Sequence, residues 1–201
     1  MDSDQICWIE TIEPADASPE LADMYRQVGA VHDKIHNLYR AFSLQPGPLI
    51  AADQHYRDVL HNEDNQSEPW FLELLASQAA IIAECHYALA NHGANFIHLL
   101  GDQEQGERML DAIRSDDYDD ASLFSEKHAA LLRYGAKLCR TPEAMQQSDV
   151  ETVRRAGASD TEILEAVQSS ACFAYWVRFI NALGIQLGNE TIGMYGHDKR
   201  V

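Results

Sequence analysis

WFLELLASQAAIIAECHYALANHG, residues Trp70 to Gly93, is the longest apolar stretch of the sequence and decides the fold. No Gly or Pro interrupts its interior, and Ala, Leu and Glu dominate, so the composition predicts one α-helix. The stretch also brings a carboxylate, a thiol and an imidazole close together in sequence, as Glu73, Cys85 and His92. Cys85 and His92 share one helical face, two turns apart. That face is predicted to be either an active site or a core seam.

The rest of the chain predicts more helices and no strand of useful length. Helix starts are marked by Ser18-Pro19-Glu20 and by a capping box at Ser159 and Glu162. We predict an all-α protein, a single domain of about seven or eight helices over residues 1–201. Its parts are an extended lead-in (1–17), two long central helices (near 70–99 and 160–187), shorter helices (beginning at Ser18 and spanning 32–44, 49–61, 104–113, 122–139 and 148–156) and an irregular tail (188–201).

The overall charge limits the partners that the protein can have. Fifteen basic and 32 acidic residues give a net charge of −17, which repels nucleic acid and anionic membranes. No basic, apolar targeting segment and no membrane-spanning run are visible. The four cysteines are scattered without a CxxC pair, a pattern typical of reduced thiols. We therefore expect a cytoplasmic protein that binds neither nucleic acid nor membrane.

Several catalytic and cofactor motifs are absent from the sequence. There is no GxGxxG, GxxxxGK[ST], GxSxG or HExxH, and no Glu is followed by His three positions later. We therefore expect no cofactor and no metal. His55 and His61 are predicted to be surface residues. Glu73, Cys85 and His92 are left as candidate site residues, against the alternative that Cys85 only packs in a core.

The spacing of these three residues resembles the alkylhydroperoxidase D / carboxymuconolactone decarboxylase superfamily. Its alkylhydroperoxidase motif reads Glu, eleven residues, Cys-x-x-Cys, three residues, His. The segments 37–40 (NLYR) and 159–184 are similar to its peroxidase-related branch. The resemblance implies an alkylhydroperoxidase D-like fold, a homo-oligomer with the site near a subunit boundary, and a small-molecule substrate (a hydroperoxide or a small carboxylic acid).

The second cysteine of that motif is replaced by Ala88. In the family that position supplies the thiolate that attacks peroxide, and the first cysteine, here Cys85, resolves the product as a disulfide. Seven helical residues separate Cys85 from His92 by about 10 Å along the axis, too far for a hydrogen bond. The neighbouring Glu84 is expected to raise the thiol pKa of Cys85.

Three functions follow as hypotheses. The first is an antioxidant, peroxidase-related protein in which Cys85 is the only motif thiol while Glu73 and His92 handle protons. The second is a non-redox decarboxylase or isomerase that uses Glu73 as base and His92 as acid or oxyanion partner, with Arg40 and Arg178 as candidate anion-binding residues. The third is an inactive helical scaffold or binding protein.

The remaining aromatic residues are assigned to packing. Four residues of the C-terminal helix are predicted to belong to the core or a subunit interface: Phe173, Tyr175, Trp176 and Phe179. Tyr87 and His86 are predicted to lie at the surface or in an interface.

Overall fold

The computed structural model describes residues 5–29 and 35–195, so predictions for 1–4, 30–34 and 196–201 lie outside the described residues. The regular structure of the described residues is entirely helical, and the all-α, single-domain prediction is confirmed with nine α-helices instead of seven or eight. They are α1 (Pro19–Gly29), α2 (Asn37–Arg40), α3 (Gly47–Leu60), α4 (Pro69–Ile82), α5 (His86–Leu100), α6 (Gln103–Arg114), α7 (Glu126–Arg140), α8 (Gln147–Arg155) and α9 (Asp160–Leu183), with 3₁₀ turns at Pro14–Asp16 and Pro142–Ala144.

The predicted continuous helix near 70–99 is wrong, because the chain turns between α4 and α5. Glu84 adopts the left-handed conformation with φ 51°, and the Cys85 N–H donates to the Ala80 carbonyl at 2.8 Å. That conformation costs a residue other than Gly about 1 kcal/mol, so nothing local in the sequence predicts it. The break folds α5 back along α4, and these two helices share the most extensive contact of the fold.

Helix α4 lies at the centre of the molecule. Its ten consecutive residues Phe71 to Ala80 are all buried, against α5, α6, α7 and α9. A helix that is apolar on every side is stable only when neighbours cover it completely. Each fully buried leucine, such as Leu72 or Leu75, contributes about 1.5–3 kcal/mol relative to exposure.

Helix α9 begins at the predicted capping box, where Ser159 and Glu162 bond each other's backbone N–H groups. It ends earlier than predicted, because Gly184 turns the chain with φ 59°. The indole of Trp8 lies over Gly184, where a Cβ atom would come within 2.1 Å of the ring. The lead-in is thereby joined to the segment after α9, with Trp8 N–H donating to the Leu183 carbonyl at 2.8 Å.

Other boundaries also differ from the sequence prediction. The predicted helix 32–44 contains only the single turn of α2 within its described part, followed by turns. Helix α7 begins four residues later than predicted, at a cap formed by Ser125. Among the described residues, no helix is both long enough and apolar enough to cross a membrane.

Candidate active site

The turn between α4 and α5 brings Glu73 and His92 into direct contact, although they are 19 positions apart. His92 Nδ1 lies 2.7 Å from Glu73 Oε2. Asn95 Nδ2 donates to the other oxygen, Oε1, at 3.0 Å. Glu73 is 0% exposed, and a carboxylate buried to this degree is tolerated only when its oxygens have partners. The structure therefore pairs two of the three predicted site residues.

His61 also contacts this carboxylate, so its assignment to the surface was wrong. It follows the last residue of α3, its side chain is 17% exposed, and its Nε2 lies 3.6 Å from Glu73 Oε1. The same nitrogen is 3.1 Å from the Tyr56 hydroxyl. Burial lowers the pKa of His61, opposed by the charge of Glu73. No sequence signal connects α3 with α4, which is why the spacing of residues could not find this contact.

A cavity of about 90 Å³ lies beside His92. A single water needs roughly 10–15 Å³ on this measure, so the space suits several waters or a small organic molecule. Ala88 lies in the cavity wall one helical turn before His92. Five aromatic residues of the wall come from α2, α3, α5 and α9: Tyr39, Tyr56, Tyr87, Phe173 and Trp176.

The tyrosines around the cavity have their hydroxyls engaged with protein groups. The Tyr39 hydroxyl donates to Asp53 at 2.9 Å, the Tyr56 hydroxyl is 3.1 Å from the Met194 sulfur, and the Tyr87 hydroxyl accepts from the Leu38 N–H at 3.4 Å. Burial is the main cause that raises the pKa of all three. They are neutral at physiological pH, and their rings provide most of the apolar wall.

One of the aromatic assignments is wrong, that of Tyr87. Phe173 and Trp176 are core residues as predicted, and they also line the cavity. The Phe173 ring packs edge-to-face on His92, with 4.4 Å between ring centroids. Tyr87, predicted at the surface or an interface, is buried in the wall, whereas Tyr175 is exposed.

Among the residues that the structure describes, the charges near the cavity do not form an anion site. Arg57 lines the wall, but its Nε donates to Asp53 at 2.7 Å. The predicted anion-binding residues lie elsewhere: Arg40 pairs with Glu13 at 2.6 Å, and Arg178 is exposed and bonds a carbonyl of its own helix. Because Arg57 is neutralised by Asp53, the buried charge of Glu73 disfavours a second anion nearby.

The segment after α9 closes one side of the cavity through two asparagines of α5. Gly193 N–H donates to Asn91 Oδ1 at 3.0 Å, and Met194 N–H donates to Asn95 Oδ1 at 2.7 Å. Gly193 has φ 72°, and a Cβ atom there would lie 2.6 Å from Asn95 Oδ1. Asn95 therefore holds both this segment and the Glu73 carboxylate.

Cys85, the third predicted site residue, is not in the cavity wall. It is the N-cap residue of α5, is 1% exposed and packs in a second apolar cluster that also contains Cys7. Burial raises the pKa of the Cys85 thiol, while the backbone N–H groups of Ala88 and Tyr87 act in the opposite direction. The predicted direction agrees with this, but the cause is burial and not Glu84.

The other thiols are free and buried to different degrees. Cys172 belongs to the main core and Cys139 packs against it, so Cys7, which the sequence did not single out, is the cysteine that shares a cluster with Cys85. Within the described ranges, no group of three His, Cys, Asp or Glu side chains is arranged to hold a metal ion.

Comparisons with known proteins place the fold. No protein-family model matches the sequence, and no curated protein matches it. An uncharacterized peroxidase-related protein from Silicibacter sp. TM1040 superposes with a TM-score of 0.76 at 20% identity, covering 94% of this chain and 95% of that one. An alkylhydroperoxidase AhpD core protein from Ralstonia eutropha JMP134, also described as peroxidase-related, gives 0.77 at 17% identity, covering 93% and 95%.

A third similar structure is the debrominase Bmp8, in a cysteine-to-alanine variant bound to 2,3,4-tribromopyrrole. Its TM-score is 0.70 at 13% identity, covering 89% of this chain and 90% of that one. Proteins of different activity thus share this architecture, and identities this low establish the fold alone. The chain has the alkylhydroperoxidase D-like fold.

Proposed function

We propose that this protein catalyses proton transfer to or from a small uncharged molecule bound in the cavity, with His92 as acid and base. The 2.7 Å contact between His92 Nδ1 and Glu73 Oε2 at the wall of the cavity carries the proposal. This choice favours the second of the three sequence hypotheses, in a form without an anionic substrate. Glu73 and His92 have the roles of orienting carboxylate and proton carrier.

The chemistry follows from the two ring nitrogens of His92. Nδ1 donates its proton to Glu73, which leaves Nε2 as the nitrogen that can meet a ligand. The buried carboxylate holds this tautomer and stabilises the imidazolium that forms when Nε2 accepts a proton. A positioned imidazole of this kind accelerates proton transfer by about 10²–10⁴-fold.

The ligand class follows from the cavity wall. Five of its residues are aromatic, and the guanidinium that lines it, that of Arg57, is already paired with Asp53. A hydroperoxide or another neutral molecule fits this environment better than a carboxylate, which would be repelled by Glu73. The tribromopyrrole of the debrominase with the same fold is an uncharged aromatic molecule of suitable class and serves as a first binding probe.

Deuterium exchange tests this function without knowledge of the full reaction. A panel of small ketones, lactones and pyrroles in D₂O is followed by ¹H NMR for loss of acidic C–H signals. We expect exchange of at least one compound by the wild type, loss of that exchange in Glu73→Gln and His92→Gln, and no change in the control His86→Gln, an exposed residue of α5. Full activity in Glu73→Gln would refute the mechanism. Binding of a compound without exchange would favour the scaffold hypothesis.

Thiol chemistry at Cys85 is a second candidate function, and one observation favours it. Cys85 is the N-cap residue of α5, where backbone N–H groups offset part of the rise in thiol pKa that burial causes. Peroxide consumption should then disappear in Cys85→Ser and persist in the control Cys139→Ser. Equal consumption by both variants would exclude Cys85 as the reacting thiol.

We also propose that the protein self-associates. Large apolar side chains are more than half exposed on this chain at Trp8, Leu44 and Leu164. Exposed apolar surface often marks an interface with another protein. Light scattering after size-exclusion chromatography should give a mass of at least twice 22.6 kDa, and a mass equal to one chain would contradict the proposal.

A further inference from the structure

Glu73 lies between two imidazoles that face different spaces. His92 lines the inner cavity, whereas His61 lines an outer cleft together with the polar residues Asp58, Asn62, Glu63 and Asp64. Arg57 and Met194 line both spaces and so form the partition between them. The carboxylate contacts His92 through Oε2 and His61 through Oε1.

This arrangement matters because a bound ligand would isolate His92 from water. A molecule that fills a cavity of about 90 Å³ leaves no room for water beside the imidazole. Glu73 is 0% exposed and cannot exchange protons with solvent directly. A proton taken from the ligand therefore needs another route out before the next cycle.

We propose that His61 carries protons between Glu73 and the solvent of the outer cleft, and that the Tyr56 hydroxyl positions its ring. The inference rests on the proposed function, since it supplies the return path for the same proton. His61 acts through Glu73 and does not touch the ligand.

The transfer balances as one proton moving from ligand to water. When His92 Nε2 accepts the ligand proton, Nδ1 passes its own proton to Glu73 Oε2. A half-turn of the carboxyl group presents that proton to His61 Nε2, and His61 Nδ1 releases a proton to water. After the ligand leaves, cavity water takes the proton from His92 Nε2 and a proton returns from the outer cleft to Nδ1 along the same path, which restores the starting tautomers of both imidazoles. Burial lowers the pKa of His61, so this imidazole is neutral at neutral pH and can accept a proton. The titratable groups around it are Glu73, His92, Arg57, Tyr56 and Asp58.

Tyr56 has two alternative acceptors that suit such a step. Its hydroxyl lies 3.1 Å from His61 Nε2 and 3.1 Å from the Met194 sulfur. When the hydroxyl donates to the sulfur, Nε2 of His61 is free to accept from Glu73. When it donates to Nε2, the imidazole is held in the tautomer that carries its proton on Nδ1.

The test is the exchange rate of the His92 Nδ1 proton with water, measured by ¹⁵N NMR of histidine-labelled protein without ligand. We expect His61→Gln to slow the exchange at least about tenfold and added imidazole to restore it. Asn62→Ala, which alters the same cleft without touching the carboxylate, should leave the rate unchanged. Loosening of the structure would raise the exchange rate of the His92 proton. A lower rate in His61→Gln therefore indicates a role in proton transfer, and a higher rate indicates a structural role.

An unchanged or faster rate in His61→Gln would overturn the proposal. If that variant does not fold, Tyr56→Phe keeps the ring packing and should slow the exchange about threefold or more through loss of positioning; an unchanged rate there would count against the proposal. The NMR measurement requires no turnover. The two experiments can therefore give different results. If no compound exchanges its C–H protons but His61→Gln still slows the exchange of the His92 proton, the proposed function is rejected and the proton route is retained.

Discussion

Two buried glutamates in this protein have opposite kinds of partners. Glu165 on α9 is 7% exposed, and its two oxygens accept the backbone N–H groups of Gln66 and Ser67, each at 2.8 Å. Glu73 on α4 is fully buried, and its oxygens face His92, Asn95 and His61. Both carboxylates are satisfied, but only one has imidazole partners, whose ring nitrogens can take up and release protons.

The difference shows how to separate a structural buried charge from a chemical one. A backbone N–H keeps its proton, so Glu165 fixes the segment before α4 to α9 and exchanges no proton with these partners. An imidazole exchanges its proton, so the same carboxylate chemistry becomes reactive at Glu73. Burial of the carboxylate does not by itself show whether its role is structural or chemical. The kind of group that donates to it, a backbone N–H or an imidazole, decides between the two roles.

The largest expected effect is that of Glu73→Gln on activity. The glutamine amide would donate to His92 Nδ1 and move the ring proton to Nε2, which is the wrong tautomer for accepting from a ligand. We expect the C–H exchange rate to fall about 10²–10⁴-fold. The melting temperature should change little, because the amide oxygen still accepts from Asn95. A large loss of stability without loss of activity would make Glu73 a structural acid like Glu165.

Glu165→Ala should show the reverse pattern. It removes two charge-assisted hydrogen bonds to the segment before α4, and we expect it to lower the free energy of unfolding by about 3 kcal/mol. Activity per folded molecule should be unchanged. Urea denaturation measures the loss, and the exposed Glu151→Ala serves as control with a change of about 0.5 kcal/mol or less. Loss of activity in folded Glu165→Ala would break the distinction.

One cysteine introduced near His92 and another introduced next to Glu165 sharpen the same contrast. Ala88→Cys places a thiol in the cavity one turn from His92, where it should react with peroxide and then form a disulfide with Cys85. Ala166→Cys places a thiol next to Glu165 in the main core, where it should stay inert. We expect alkylation by iodoacetamide to be at least about tenfold faster at position 88, as measured by mass spectrometry. Equal rates would show that the imidazole does not activate a thiol in the cavity.

The smallest expected effect is the pH dependence of stability. Burial lowers the pKa of His61 and His128, so the unfolded chain binds protons near pH 6.5 that the folded chain does not. Their contribution is complete above pH 6.5 and declines as the pH falls below it, by at most about 1.4 kcal/mol per pH unit for each histidine. Urea denaturation between pH 7.5 and 5.5 should show a shallower decline in His61→Gln. An unchanged slope would mean that His61 titrates alike in both states.

Much of the fold could be predicted because its signals are local. The capping box at Ser159 and the apolar composition of α4 each depend on neighbouring residues. The sequence predicted that Glu73 and His92 belong to one site, because their spacing resembles the family motif. It did not predict their direct contact. The turn at Glu84 was missed, because neither Gly nor Pro marks it and tertiary packing imposes it.

The remaining parts of the site depend on distant segments. Tyr56 comes from α3, His61 follows the last residue of that helix, and Met194 lies in the segment after α9. No periodicity connects such elements, so the sequence could not place them together. The sequence also could not predict that Cys85 lies outside the cavity wall, because the orientation of this side chain depends on the conformation of the turn before α5.

The contacts of the segment after α9 have a consequence for the order of folding. Helices α4 and α5 are adjacent in sequence and pair over a short turn, whereas Gly193 and Met194 bond α5 residues 102 and 99 positions away. Closing long loops costs more entropy and slows the formation of distant contacts. We therefore expect the Glu73–His92 pair to form early and the cavity around it late. In a refolding intermediate, the Glu73–His92 pair would then be in contact with water. The cavity wall, which limits the molecules that can reach the pair, would form later.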